Sequence, residues 1–253
     1  SDIHAAKAAG KVGIILGWQN TSAIDNDIGN LRLFHALGVR VMQLTYNTQN
    51  LIGSGCWESR DSGLSDFGRH AIDEMNQLGI LIDLSHVGPV TSAEAIAHSK
   101  MPVAYTHCCP MLKEHARNKT DAQLRAVADR GGFVGFASYT PFLPKGDDTT
   151  IDDCVAAMDY LINLIGEESV GIGTDWVQDQ DVAFYDYLTL DKGTGRPTTP
   201  PFKAVPPMPK GLASMGEFGN FIPAMERAGW QETRIRRVLG ENWLRFLGDV
   251  WAA

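Results

Sequence analysis

The sequence predicts an α/β protein built on a parallel sheet, of the (β/α)8 barrel type. Short runs rich in Val and Ile alternate with amphipathic helical segments along most of the chain, and this alternation requires helical crossovers between parallel strands. Two of the runs close on His86 and His107, and a third closes on Asp175. Polar side chains at the ends of several strands favour a barrel, because (β/α)8 proteins carry their chemistry at the carboxyl ends of the strands.

An open, doubly wound sheet would satisfy the same alternation. A nucleotide-binding sheet of that kind normally carries a glycine-rich turn after its first strand. The segment Gly17-Trp18-Gln19-Asn20 is not such a turn, so the barrel is the preferred prediction.

Six apolar runs are predicted to be buried parallel strands. They cover residues 11–17, 39–46, 79–86, 102–107, 132–138 and 169–175. A closed barrel of this type has about eight strands, so we expect the first βα units to be missing from this chain, ahead of Ser1.

Helices are predicted between the strands, where apolar residues recur at spacings of three and four. Ser65 is a helix-capping residue for 65–78, and Thr120 with Gln123 forms a capping box for 121–130. The other predicted helices cover residues 26–37, 89–98 and 151–165.

The alternation of strand-like and helix-like segments ends after Asp175. We expect one barrel domain over residues 1–253, in which 176–215 form a long Pro-rich loop and 216–251 form C-terminal helices. Residues 191–210 alone hold six prolines. Long loops are uncommon in compact domains and often functional, so this one could cover the site, or it could be an exposed connection or an oligomer contact.

Composition limits the partners and the compartment. The 253 residues carry a net charge of −8, which argues against nucleic acid and anionic membranes as partners. No apolar stretch reaches the roughly 20 residues of a bilayer span, so no membrane insertion is expected. The four cysteines form no C-x-x-C pair, and free thiols indicate a reducing, cytoplasmic compartment. A homo-oligomer is left open.

His86 and His107 are candidate metal ligands, since neutral imidazole is a preferred zinc ligand and catalytic zinc sites use about three protein ligands. They follow successive strands, which would place them side by side in a barrel. Asp175 could be a further ligand or the base that handles a metal-activated water. The alternative is that each histidine only makes a hydrogen bond at a strand end.

Two other charged residues lie near these positions. Arg117 follows the His107 strand and could bind a substrate carboxylate through two parallel hydrogen bonds, or it could be a solvated surface residue. Asp83 has the opposite strand parity to His86, so we expect it to face the other side of the sheet, as a buried structural acid.

Several segments, in this order, resemble the membrane (renal-type) dipeptidase family of metallopeptidases. The resemblance covers about residues 11–251. Its specific pieces are LRLFHALGVRVMQLTYN at 31–47, GLSDFGRHAIDEMNQLGILIDLSHV at 63–87, residues 102–121, GIGTD at 171–175 and LGENWLR at 239–245. The resemblance implies an amidohydrolase-like (β/α)8 barrel with a binuclear zinc site that cleaves dipeptides, including some with a D-residue on the C-terminal side.

The resemblance also implies roles for individual residues. His86 and His107 look like ligands of one zinc ion. Asp175 looks like the catalytic acid/base, and Arg117 looks like the residue that binds the carboxylate of the substrate.

The chain departs from the family pattern at three places. Gln19 stands where the family has a glutamate that bridges two metals, Tyr46 stands where it has a histidine that touches the substrate, and the His-x-Asp pair of the first strand is absent. A neutral amide cannot bridge two dications as a carboxylate does. We therefore expect one zinc ion rather than two, held by His86 and His107 with help from Gln19 or Asp175, and an empty site is the alternative. Tyr46 could donate a hydrogen bond to an oxyanion.

These patterns together predict a metal-dependent hydrolase that cleaves a dipeptide or a similar amide by a metal-activated water. Its partner would be a small molecule or a dipeptide. Two alternatives are a catalytically degenerate barrel that binds a small carboxylate, and a mononuclear lyase or decarboxylase on the same scaffold.

Overall fold

A six-stranded parallel sheet is the centre of the molecule. The computed structural model describes residues 2–177, 179–190, 204–212 and 214–251, and in these residues the strands lie side by side in sequence order. The strands are β1 (Leu16–Trp18), β2 (Val39–Gln43), β3 (Leu81–Asp83), β4 (Ala104–Cys108), β5 (Phe133–Phe136) and β6 (Val170–Ile172). All neighbours pair in parallel, which confirms the predicted α/β class of the barrel type.

Each crossover between successive strands contains one α-helix. The α-helices are α1 (Asp2–Ala8), α2 (Asn30–Ala36), α3 (Asp66–Leu78), α4 (Pro89–His98), α5 (Asp121–Ala128), α6 (Ile151–Ile165), α7 (Val182–Thr189), α8 (Phe221–Arg227), α9 (Glu232–Arg236) and α10 (Asn242–Trp251). No helix in the described ranges is both long and apolar enough to cross a bilayer.

Capping residues set the starts of the crossover helices as predicted. The Ser65 hydroxyl accepts a hydrogen bond from the Gly68 amide at 2.9 Å, and α3 begins at the next residue. Thr120 and Gln123 form the predicted capping box of α5. These contacts satisfy amide groups that have no partner inside the first helical turn.

The first predicted strand is wrong over most of its length. Pairing with β2 begins only at Leu16, which lies opposite Val39, and residues 11–15 lie outside the sheet. Val12 and Ile14 are 89% and 82% exposed. An apolar run becomes a buried strand only where a neighbouring strand offers backbone partners, and β2 offers none to these residues.

The segment predicted as a Pro-rich loop, 176–215, contains a helix in its described part. Helix α7 lies there, and the Asp181 carboxylate caps it by accepting a hydrogen bond from the Phe184 amide at 2.9 Å. The loop prediction is therefore wrong for these residues, because the prolines lie further along the chain than this cap. Residues 191–203, where several of those prolines lie, are outside the described residues.

The two faces of the sheet are covered differently. The main apolar cluster joins one face to the crossover helices and includes Ile82 and Val134. A smaller cluster covers the other face near the amino ends of the strands, where α10 packs on β3, β4 and β5. Its members are Leu81, Ala104, Phe133, Phe246, Leu247 and Val250. The carboxyl ends of the strands on this second face are therefore left for polar side chains.

Candidate active site

His86 and His107 meet at the carboxyl ends of β3 and β4. Their Nε2 atoms lie 3.1 Å apart, and both side chains are buried. Two nitrogens bound to one tetrahedral zinc ion at about 2.0–2.1 Å would lie roughly 3.4 Å apart. The pair is therefore already close to the spacing that one shared ion requires.

Both imidazoles are held neutral. Burial, together with the positive charge of Arg117 and the neighbouring His107, places the pKa of His86 well below its usual value. Burial also lowers the pKa of His107, although the carboxylates of Asp175 and Asp83 oppose this shift. Neutral imidazole is the form that binds metals.

Asn47 orients the first of these rings. Its Oδ1 lies 2.7 Å from Nδ1 of His86, and an amide oxygen only accepts hydrogen bonds. His86 therefore carries its proton on Nδ1 and directs the Nε2 lone pair at His107. Asn47 has a left-handed backbone with φ of 62°, a conformation that asparagine tolerates better than most residues. Sequence reasoning missed Asn47, although it ends the polar segment Thr45-Tyr46-Asn47 that follows β2.

A β-bulge in β4 orients the second ring. Ala104 and Tyr105 pair with Phe133 and Val134, but Cys108 pairs with Phe136, so β4 has one extra residue between Tyr105 and Cys108. Tyr105 and Cys108 both pack in the main core. The two intervening residues, Thr106 and His107, are hydrogen bonded to each other through Oγ1 and Nδ1 at 2.7 Å.

Glycines make room for this bulge. A Cβ atom on Gly135 would lie 2.0 Å from the Thr106 carbonyl oxygen, and one on Gly173 would lie 1.9 Å from it. Both distances are far inside van der Waals contact, so only glycine fits at these two positions while the bulge keeps its shape.

Asp83 is the buried structural acid that the sequence predicted. Its Oδ1 accepts hydrogen bonds from the amides of Ser85 at 2.9 Å and Thr106 at 3.0 Å. The expectation that it faces away from His86 is wrong, since its Oδ2 lies 3.7 Å from Nδ1 of His107, the partner of His86. Strand β3 ends at Asp83, and strand parity does not extend into the turn that carries His86.

Asp175 lies between the histidines and the arginine. It follows β6 and has a left-handed backbone with φ of 59°. Its Oδ1 is 3.9 Å from Nε2 of His107, and its Oδ2 is 3.8 Å from Nη2 of Arg117. The carboxylate is therefore within a small displacement of both partners.

Arg117 is only 2% exposed, which excludes the solvated alternative. Nη1 donates to the Ser85 carbonyl, and Nη2 donates to the His107 carbonyl at 3.2 Å. The guanidinium lies over the Phe142 ring at 5.2 Å and lines the central cavity. Since a guanidinium has five donors, these contacts leave others that could reach a ligand.

Tyr46 and Gln19 line the same cavity. The Tyr46 ring stacks on His86, with 4.2 Å between the ring centroids. Burial, and then the charge of Asp175, raises the pKa of Tyr46 to about 12, so its hydroxyl remains a donor at neutral pH. The Gln19 carbonyl accepts a hydrogen bond from Nε2 of Gln43 at 2.6 Å, which ties the segment after β1 to β2.

The cavity has a volume of about 490 Å³. It also brings in Tyr139 and Tyr185, which sequence reasoning missed. Their hydroxyls are hydrogen bonded, and burial raises the pKa of both. Tyr139 directly follows the run 132–138 that was predicted as a strand, so its place at a strand end was a signal that could have indicated it. Tyr185 lies on α7 and belongs to no motif, so no sequence signal indicated it.

The His86–His107 pair brings together two side chains of a type that binds metals. Among the described residues, no group of three or more His, Cys, Asp or Glu side chains is arranged to hold one ion. A catalytic zinc site commonly uses three protein ligands. On the Nε2 side of the pair, the Asp175 carboxylate lies 3.9 Å from His107, and it would have to move to complete such a set.

Comparisons with known proteins identify the family and the fold. The family model described as membrane dipeptidase (peptidase family M19) matches residues 1–189. An uncharacterized dipeptidase of Schizosaccharomyces pombe is 32% identical over 257 residues, which cover 98% of this chain and 55% of the relative. The chain thus spans about half the length of that protein.

Solved structures share the fold. An amidohydrolase from Pseudomonas aeruginosa is 50% identical and superposes with a TM-score of 0.95, over 100% of this chain and 77% of the other. A metallopeptidase from Rhodobacter sphaeroides, solved with a phosphinate mimic of the dipeptide L-Ala-D-Ala, is 25% identical with a TM-score of 0.82, over 99% and 67%. On the family match over 189 residues, this chain belongs to the membrane dipeptidase family, peptidase family M19.

Proposed function

We propose that the protein is a metal-dependent hydrolase that cleaves dipeptides or closely related amides. The observation that carries the proposal is the 3.1 Å approach of two neutral, buried imidazole Nε2 atoms. Family membership and a structural neighbour that binds a dipeptide mimic support the same reaction.

The donor set fits one zinc ion. His86 and His107 would hold it, and Asp175 or Gln19 would complete the set. When bound, such an ion supplies Lewis acidity and so makes water a nucleophile at neutral pH.

The remaining steps belong to side chains of the chain itself. Arg117 would pair with the terminal carboxylate of the substrate and so place the scissile amide beside the histidines. Tyr46 would donate a hydrogen bond to the carbonyl oxygen as negative charge develops there. Asp175 would accept a proton from the attacking water and deliver it to the leaving amine, so that it acts first as base and then as acid.

Zinc binding and hydrolysis of a dipeptide panel test the proposal together. We expect about one zinc ion per chain, and we expect His107→Ala to lose both the ion and the activity. His70→Ala is the matched control, since His70 is exposed on α3. Wild-type protein that neither binds added zinc nor cleaves any member of the panel would contradict the proposal.

A second candidate function is carboxylate binding without turnover. It is favoured because, among the described residues, no third His, Cys, Asp or Glu side chain is arranged with His86 and His107 to hold an ion. Arg117 could still bind a carboxylate beside them. Calorimetric binding of an N-acetyl amino acid by zinc-loaded protein that cleaves no amide would identify this function.

A further inference from the structure

One wall of the cavity is a continuous series of aromatic rings. Trp57 contacts His115 edge-on at 5.4 Å between centroids, His115 contacts Phe142 at 4.8 Å, and Phe142 contacts Tyr139 at 4.8 Å. We call these four residues the aromatic wall. All four line the cavity, so a ligand beside Arg117 would lie against ring faces and edges.

Helix α7 adds apolar side chains to the same cavity. Phe184, Tyr185 and Leu188 line it, and the ring centroids of Phe184 and Tyr185 are 6.2 Å apart. Tyr185 joins α7 to the aromatic wall through its hydrogen bond to Tyr139. The cavity thus has aromatic groups on both the wall and the α7 side.

Charge is confined to one part of the lining. Among the described lining residues, the charged side chains are Arg117 and Asp175, which the proposed reaction already uses. His115 adds no charge near neutral pH, because burial and the charges of Arg117 and Lys113 lower its pKa to about 4. A polar or charged substrate side chain would therefore meet no ionic partner in the aromatic wall.

We propose that the site selects substrates with a large apolar side chain, preferably an aromatic one, held between the aromatic wall and Phe184. This inference rests on the proposed function, because it takes the cavity to be the substrate site. Cavities of roughly 300–1,000 Å³ bury most of a drug-sized ligand, and about 490 Å³ is in that range. Aromatic rings gain from edge-on and offset contacts with other rings in addition to the area they bury.

Phe184 is the residue with which to test the inference. It is 37% exposed, so its truncation should leave the fold intact. Tyr187 provides a matched control because it lies on the same helix, is 49% exposed and is not among the residues that line the cavity.

The first measurement is calorimetric binding of racemic N-acetylphenylalanine and racemic N-acetylalanine, which needs no turnover. We expect wild type to bind the phenylalanine compound at least 10-fold more tightly, in line with the 10- to 200-fold that small apolar groups contribute in a fitted pocket. Phe184→Ala should reduce this ratio at least 3-fold, and Tyr187→Ala should leave it unchanged. Trp57→Leu is a second variant, within the aromatic wall, and should also reduce the ratio.

The second measurement is the ratio of kcat/KM for a phenylalanine-containing and an alanine-containing dipeptide on zinc-loaded protein. Hydrolysis without a preference in either measurement would overturn the inference and leave the proposed function standing. A binding preference without hydrolysis would overturn the proposed function, and the preference would then describe a bound carboxylate ligand, so that only the part of the inference that concerns binding stands. Equal binding of the two compounds, or binding of neither, overturns the inference.

Discussion

At the scale of single residues, the site depends on which nitrogen of each imidazole carries the proton. The Asn47 amide oxygen holds the proton of His86 on Nδ1, so its Nε2 lone pair faces Nε2 of His107. The Nδ1 partner of His107 is the Thr106 hydroxyl, which can donate or accept. His107 can therefore hold its proton on either nitrogen. When a cation binds at Nε2, the proton of the neutral ring can therefore be on Nδ1, and the ring does not have to turn.

Asn47 should control metal affinity through the orientation of His86. Asn47→Gly keeps the left-handed backbone but removes the acceptor, and we expect zinc affinity to fall about 10- to 100-fold, as for other partners of metal-bound histidines. Asn47→Asp retains an acceptor and tolerates the same backbone, so it should remain within a few-fold of wild type. Competition with a chromophoric chelator measures the zinc affinity of both variants. Equal loss in the two variants would show that the acceptor is not what matters.

His115 should make the protein less stable in mild acid. Its pKa is about 4 in the folded protein and about 6.5 in an unfolded chain, so the unfolded state binds more protons between these values. The free energy of unfolding therefore falls as the pH decreases from about 6.5 to about 4. His115→Gln should flatten this part of the curve, measured by urea unfolding at stepped pH. His70→Gln, at an exposed position, should keep the wild-type slope, and an unchanged slope in His115→Gln would contradict the argument.

At the scale of secondary-structure elements, the bulge in β4 is the feature that assembles the site. Regular alternation would send Thr106 and His107 to opposite faces of the sheet. The extra residue between Tyr105 and Cys108 changes the register against β5, so that His107 reaches His86 while Thr106 supports its Nδ1. Gly135 on β5 leaves the space that the bulged carbonyl needs.

Gly135→Ala should therefore damage both the fold and the site. Its Cβ would collide with the Thr106 carbonyl at 2.0 Å, and we expect the free energy of unfolding to fall by about 1–3 kcal/mol as the strand shifts. Zinc affinity should fall as well, because His107 is displaced with the bulge. Gly219→Ala is the control, since a Cβ there meets no atom within 4 Å. Urea unfolding and zinc competition measure the two effects. If Gly135→Ala has the free energy of unfolding and the zinc affinity of wild type, the glycine does not have this role.

At the scale of the whole molecule, the two ends of the sheet differ: the amino ends of the strands are packed against α10, and the carboxyl ends carry the candidate active site. Helix α10 buries Phe246, Leu247 and Val250 against the amino-terminal residues of β3, β4 and β5. The side chains of His86, His107, Arg117 and Asp175 lie together beyond the opposite ends of the strands. Packing at one end thus holds the strands in the positions that bring His86, His107 and Asp175 together at the other.

Phe246→Ala should test this separation. The ring is fully buried and stacks on Phe133 at 5.1 Å, so its loss should lower the free energy of unfolding by about 3–5 kcal/mol. Ile222→Ala, at an exposed position on α8, should change it by less than about 0.5 kcal/mol. Denaturant unfolding measures the free energy of unfolding of both variants and of wild type. A small effect of Phe246→Ala would show that α10 is not part of the cooperative core.

Local patterns in the chain were enough to predict the alternating strands and helices, the caps at Ser65 and Thr120, and the candidates His86, His107 and Asp175. Such patterns act within a few residues: apolar spacing selects helix or strand, and a capping side chain satisfies amides in the next turn. The same reasoning failed at residues 11–15, where burial depends on which strand lies alongside, and it missed the local cap that Asp181 provides at the start of α7.

The inward turn of His107, the tautomer of His86 and the aromatic wall could not be inferred in this way. Each depends on groups far apart in the chain: β5 against β4, Asn47 against His86, and Trp57 against Phe142 through His115. Strand register and ring contacts of this kind arise only when the packed sheet brings distant segments within hydrogen-bonding or van der Waals distance, which no local spacing specifies.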